Sequence, residues 1–248
     1  MEPKFVDVHA HLSDHAFDGN EDMFALMEDG YIVLNSGENH SDNLRVIELN
    51  KKYPNILPCV GLHPNYLSNL GKEEVEREIS DVTKDVEAAF AVSEIGLDYK
   101  NKDRAQMSGQ KRIFRTMLEL SEKFGKPCIV HSRKAMDDVL DIVSSFKTKV
   151  VLHNFEGNLS HLSRAAELGL GVSISTGFIK FKKDNVVKKA GIDSLFVETD
   201  SPVLSPDQNT NTPLNLKVIL EYISDIRGME FNVLKDTVYN NFERFFYD

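Results

Sequence analysis

Short apolar runs recur along the chain at Phe5–His9, Tyr31–Asn35, Ile56–Leu62, Ala89–Ile95, Pro127–His131, Lys149–His153, Gly171–Ser175 and Ser194–Glu198. Their length and boundaries predict buried strands. The intervening segments carry apolar residues at helical spacing. Ile113, Met117, Leu120 and Phe124 form one such face, and Val139, Ile142, Val143 and Phe146 the next. Leu159, Leu162 and Ala166 begin a third, Leu216, Ile219, Leu220 and Ile223 make a fourth, and Leu234 and Val238 mark a last helix. Gly30, Pro54, Gly125-Lys126-Pro127 and Gly169 punctuate the alternation. Eight strands alternating with helices predict an α/β fold, a (β/α)8 TIM barrel with a parallel eight-stranded barrel and outer helices. A doubly wound sheet is the alternative. The 248 residues match the roughly 250 such a barrel needs. No linker or composition break interrupts them, so a single domain spanning 1–248 is expected.

The polar residues favour the barrel, because they fall where strands end. His9 and His11 are two apart on the first strand and so face one way, with Asp7 in line behind them. His63 follows strand 3, Glu94 falls at the end of strand 4, His131 ends strand 5, His153 ends strand 6, and Asp200 follows strand 8. A closed barrel gathers these ends around one mouth, whereas an open sheet scatters them. His15, His40 and His161 lack this placement and read as surface histidines.

Imidazoles and carboxylates converging on one mouth suit a hydrolase with two divalent metal ions. Two ions about 3.5–4 Å apart activate a water and stabilise a leaving oxygen. Glu94, between strands 1 and 5, is placed to bridge them. His9, His11 and Asp200 would hold one ion, and His131 and His153 the other. Zn²⁺, Mn²⁺, Fe²⁺ and Ni²⁺ suit imidazole better than Mg²⁺, which prefers oxygen, and the pattern leaves Zn²⁺, Mn²⁺ and Mg²⁺ all open as the pair of ions.

Composition changes the picture little. Hydrophobic content of 41% and charged content of 27% are ordinary for a globular protein. A net charge of −10 argues against a broad basic surface for nucleic acid. No apolar run approaches a membrane span, and Met-Glu-Pro-Lys leading into a strand shows no secretory signal. Cys59 and Cys128 sit in apolar runs and read as buried thiols in a reducing cytoplasm. No protein partner is legible.

The ordered motifs resemble the TatD family of metal-dependent deoxyribonucleases, within the amidohydrolase-like TIM-barrel enzymes. The resemblance runs from Val6 to Phe246, through Asp7-Val8-His9-Ala10-His11-Leu12, Val60-Gly61-Leu62-His63-Pro64 and Glu94-Ile95-Gly96-Leu97-Asp98-Tyr99. It continues through Gln110, Phe114, Pro127-Cys128-Ile129-Val130-His131-Ser132-Arg133, His153-Asn154-Phe155-Glu156-Gly157, Glu198-Thr199-Asp200-Ser201-Pro202 and Asn241. It implies His9, His11, Glu94, His131, His153 and Asp200 as metal ligands, and Asp200 as the group taking a proton from the attacking water. It also implies that His63 faces the substrate phosphate, with Arg133 beside it, and that DNA is the substrate. Gln110 and Asn241 match positions that read as structural. The chain departs from the family at two places. Thr210 stands where an arginine is expected before Asn211-Thr212-Pro213, and Glu156 replaces the usual serine.

The missing arginine calls for another source of positive charge. Lys180, Lys182 and Lys183, after strand 7, are the candidates for phosphate contact, while the neighbouring Phe178 and Phe181 read as core. A small-molecule amidohydrolase, lactonase or phosphoesterase on the same scaffold is the alternative function. A non-enzymatic metal-binding scaffold is the third.

Overall fold

A computed structural model of the chain describes residues 4–248. Residues 1–3, part of the stretch that carries the expectation about a secretory signal, lie outside the described residues. The strands are β1 (Phe5–Ala10), β2 (Tyr31–Ser36), β3 (Ile56–Val60), β4 (Ala91–Asp98), β5 (Cys128–Arg133), β6 (Val150–Leu152), β7 (Gly171–Ser175) and β8 (Leu195–Glu198). Each pairs in parallel with the next, so sheet order is chain order. β8 returns to β1 just past the strand ends. There the Asp200 amide donates to the His9 carbonyl at 3.0 Å, and the His11 amide to the Ser201 carbonyl at 2.7 Å. This is the expected parallel barrel and not the doubly wound sheet, whose strand order would reverse at a switch point.

The helices are α1 (Glu21–Met27), α2 (His40–Lys52), α3 (Lys72–Asp85), α4 (Arg104–Phe124), α5 (Met136–Val143), α6 (Leu159–Glu167), α7 (Gly177–Phe181), α8 (Asp184–Lys189), α9 (Leu216–Arg227) and α10 (Phe231–Tyr247). α4 shows how the sequence sets their ends. Asp103 accepts from the Gln106 amide at 2.9 Å, and Gln106 reaches back to the Asp103 amide at 3.1 Å. Gly125 then stops the helix in the left-handed region. α5 ends before Phe146, which still packs on the core. In α6 the buried face is Leu162 and Ala165, not Leu159 and Ala166, because the nine-residue helix crosses the sheet on a different stripe.

Two apolar clusters build the layers. One fills the space between barrel and helices. The other lies within the barrel, from Val6, Val8, Leu34, Cys59, Ala91, Ile129, Val151 and Phe196, and is closed off by Tyr239 and Phe242 of α10. α10 thus plugs the floor, which leaves the strand C-termini as the open face.

Candidate metal centre

The centre forms where the strand alternation slips. The β1–β2 register shifts between Asp7 and Ala10, and the β4–β5 register between Val92 and Ile95. An extra residue in a strand re-aims the side chains beyond it. Val8 therefore packs in the barrel interior while its neighbour His9 also faces in. In β4, Ser93 and Glu94 both face in, with Ser93 Oγ 2.8 Å from Ser36 Oγ. Asp7 does not join the two histidines. It accepts from the His9 and Thr199 amides and from Thr199 Oγ1, tying β1 to the end of β8. Glu94 itself lies inside β4, which runs further than the sequence pattern indicated. Two glycines give its backbone room: a Cβ on Gly61 would stand 2.6 Å from the Glu94 nitrogen, and one on Gly96, at φ +138°, 2.1 Å from the His131 carbonyl.

Each carboxylate oxygen of Glu94 faces its own set of nitrogens. Oε2 lies 3.3 Å from His11 Nε2 and 3.6 Å from His9 Nε2. Asp200 Oδ1 closes that set at 3.5 Å from His9 Nε2 and 3.7 Å from His11 Nε2. Oε1 lies 2.9 Å from His131 Nδ1, 3.0 Å from His153 Nε2 and 3.5 Å from His63 Nε2. Asp200 reaches its place through a left-handed backbone, φ +57°, at a cost of about 1–2 kcal/mol.

The outer nitrogens decide whether cations fit. His11 Nδ1 lies 3.0 Å from the Ser36 carbonyl, which can only accept, so Nδ1 carries the proton and Nε2 presents a lone pair. His9 Nε2 stands 3.1 Å from that lone pair. His153 Nδ1 faces Glu198 Oε1 at 3.3 Å, and His131 Nε2 faces Asp98 Oδ2 at 3.4 Å. In both, a carboxylate behind the ring holds the opposite nitrogen towards the centre, the arrangement seen around metal-bound imidazoles. Lone pairs and carboxylates facing one another in a buried site need positive charge between them. Divalent cations fit this donor set.

Metal-free, the cluster must hold protons instead. Burial disfavours charge on His11, but the hydrogen bond and charge of Glu94, with Asp200 and Glu38, push it up to about 10. His153 is also raised against its burial, by Glu198 and Glu94. Burial lowers His9 well below its usual range. The surrounding histidines hold Glu94 well below the carboxylate range despite its burial. Burial raises Asp200 to about 6.

The sequence profile described as "TatD related DNase" matches residues 6–247. The chain belongs to the TatD-related DNase family. It is 33% identical over 249 residues to the uncharacterized metal-dependent hydrolase MJ1582 of Methanocaldococcus jannaschii, covering 98% of this chain and 97% of that one. It is 28% identical over 262 residues to the human deoxyribonuclease TATDN3, covering 97% and 94%. Among solved structures, YJJV, the TatD homolog of Escherichia coli, superposes with a TM-score of 0.87 at 24% identity, covering 98% of each chain. The chain is accordingly a metal-dependent hydrolase of the TatD type, with a buried His, Glu and Asp cluster suited to metal binding.

In this TatD-family chain the centre opens into a cavity of about 630 Å³. His63 and Arg133 line it, and Arg133 lies 3.8 Å from Asp98. The three candidate lysines do not line it. Lys180 donates to the Asp207 carbonyl at 2.9 Å, Lys182 lies over the Tyr222 ring, and half-buried Lys183 donates to the Phe155 carbonyl at 3.1 Å. α7 ends at Phe181 and Lys182 turns left-handed, which sends Lys182 and Lys183 off the line of the helix that carries Lys180. Phe178 is core as expected, but Phe181 is 62% exposed and lines the cavity. His15 also lines it, beside Arg45, which pairs with Asp18 at 3.0 Å. His40 is held by Asp85 and His161 by Asp137, both away from the centre. Thr210 is exposed and Glu156 lines the mouth.

Sequence reasoning missed Glu38, Asp98 and Glu198. Asp98 had a signal, since it lies four residues from Glu94 and therefore on the same strand face. Gln110, read as structural, sits under the mouth: it accepts from the Asp98 amide at 2.9 Å and donates to the Pro64 carbonyl at 3.3 Å. Asn241 is structural as expected, donating to the Ile192 and Leu195 carbonyls.

Proposed function

We propose that the chain is a phosphodiesterase acting on DNA through two divalent ions, Zn²⁺, Mn²⁺ or Mg²⁺, held in one TIM-barrel domain spanning residues 1–248. The observation that carries this reading is Glu94, whose two oxygens face separate sets of imidazole nitrogens. His9, His11 and Asp200 would hold one ion, His131 and His153 the other, with Glu94 shared. When bound, such ions lower the pKa of water and neutralise phosphate oxygens. Asp200, whose Oδ1 stands 3.5 Å from His9 Nε2 at the mouth of the barrel, takes the proton of the attacking water. His63 accepts from the Asn65 amide at Nδ1, 3.2 Å away, so its proton sits on Nε2 and donates to a phosphate oxygen. Arg133 pairs with a further oxygen from the cavity wall. The free, buried thiols of Cys59 and Cys128 accord with a cytoplasmic setting.

One observation favours the second reading, a small-molecule hydrolase. The mouth carries Asp14, Glu38, Asp42 and Glu156 against Arg45 and Arg133, which suits a short or weakly charged substrate. The test is a panel on the Mn²⁺- and Zn²⁺-loaded protein: single-stranded DNA, duplex with an abasic site, bis-p-nitrophenyl phosphate, a lactone and an N-acyl amino acid. Cleavage of a DNA substrate is expected. Turnover of the lactone or amide with all three phosphodiesters intact would replace the first reading by the second.

A further inference from the structure

We propose that Glu38 is a further protein ligand of the ion held by His9, His11 and Asp200. The inference rests on the metal-centre reading above and adds a donor from β2, a strand that otherwise gives the centre only Ser36. Glu38 lies two residues past the end of β2 with its backbone clamped on both sides. Its amide donates to Asp42 Oδ2 at 3.1 Å, and its carbonyl accepts from the His63 amide at 2.9 Å. The side chain lines the cavity, and among the described residues its carboxylate has no ion pair or hydrogen bond. One of its oxygens and the ligand atoms of His11 and Glu94 all lie within 4.8 Å of one another. Donors around a single ion at about 2.0–2.2 Å stand at most about 4.4 Å apart. A small rotation of an unpaired side chain closes that difference.

The same geometry argues against a separate third ion among these residues. His11 Nδ1 is committed to the Ser36 carbonyl, so His11 offers one lone pair, on Nε2. That nitrogen already belongs to the set with His9, Asp200 and Glu94 Oε2. An ion between His11, Glu38 and Glu94 would have no nitrogen of its own, so Glu38 joins the existing ion. That ion then has two imidazoles and three carboxylate oxygens, against two imidazoles and one carboxylate oxygen at the other. Oxygen-rich sites favour harder ions. The first position should therefore prefer Mn²⁺, and the second Zn²⁺.

The test titrates metal-free protein with Mn²⁺ by calorimetry and with Co²⁺ by visible absorption. It compares wild type, Glu38→Gln, Glu38→Ala and Glu156→Gln, the last removing a negative charge from the same mouth. Both Glu38 variants should weaken one binding step by about tenfold or more. They should leave the other step near its wild-type value and alter the Co²⁺ band of the weakened step, while Glu156→Gln changes neither. Three results would each overturn the proposal: unchanged binding in the Glu38 variants, equal weakening by Glu156→Gln, or loss of a third equivalent of ion. Wild type binding one ion per chain would defeat the two-ion reading instead. The role of Glu38 would then be decided by whether that single step weakens.

Discussion

His11 donates its Nδ1 proton to a backbone carbonyl, so whatever it does at the centre it does through Nε2. Without metal that nitrogen is protonated, since the group sits at about 10. Imidazole must lose its proton to bind an ion. Metal uptake near neutral pH should therefore release at least one proton per chain, and affinity should rise about tenfold per pH unit for each proton displaced, levelling off above the pKa. Calorimetry in buffers of different ionisation enthalpy measures this, and a heat independent of buffer would refute it. Glu198 governs His153 in the same way from behind the ring. Glu198→Gln should keep the fold and cost about 10–100-fold in metal affinity at one position, read as metal content after dialysis. A variant that retains both ions would show that Glu198 does not orient His153. These outer carboxylates mark the limit of what the sequence made legible. His9, His131 and His153 could be placed because an imidazole ends each of those apolar runs and a barrel gathers such ends, and His11 and Asp200 because each follows such an end by two residues. Glu38 and Glu198 could not: Glu38 lies beyond its run, and Glu198, although it ends one, looks the same whether it meets water or an imidazole.

Among the elements, β4 departs most from its sequence pattern. Alternation alone puts Ser93 and Glu94 on opposite faces, yet both point inward across the register shift. A bulge adds no apolar or polar signal of its own, so the strand was legible and its irregularity was not. The glycines around it were visible without their purpose, which is to let neighbouring backbone approach. Gly61→Ala would set a Cβ 2.5–2.7 Å from the Ser93 and Glu94 backbone. Backbone cannot yield as a flexible side chain can, so the variant should lose about 1–3 kcal/mol or more. That corresponds to a fall of roughly 2–4 °C in Tm per kcal/mol for a chain of this size, with metal affinity falling alongside because Glu94 is displaced. A melting curve and metal titration of Gly61→Ala beside Gly109→Ala, whose Cβ meets nothing within 4 Å, separate this from a general effect of removing glycine. Equal behaviour of the two would mean that the close approach at Gly61 does not matter.

For the molecule as a whole, the proposed DNA substrate raises the question of how a chain of net charge −10 would handle a polyanion. The expected remedy, Lys180, Lys182 and Lys183, is not at the cavity, since neighbouring loops and the Tyr222 ring take up all three. Arg45 and Arg133 remain at the mouth, Arg45 already paired with Asp18. Cations bound at the centre would therefore supply most of the attraction, and contact with phosphates would be confined to the few that enter the cavity. Two arginines displace few counterions, so the plot of log affinity for DNA against log salt should have a slope no steeper than about −2. The mouth carboxylates act in the opposite direction. Neutralising Glu156, as Glu156→Gln, should raise kcat/KM on a DNA oligonucleotide by about twofold or more at low ionic strength, where screening is weakest. Bis-p-nitrophenyl phosphate carries a single negative charge and should respond much less. The gain on DNA should shrink as salt is added, because it arises from long-range repulsion rather than from a new contact. A gain that persists at high salt would instead point to a steric change at the cavity mouth. No gain on DNA at any salt would show that the substrate reaches the ions without crossing the acidic rim.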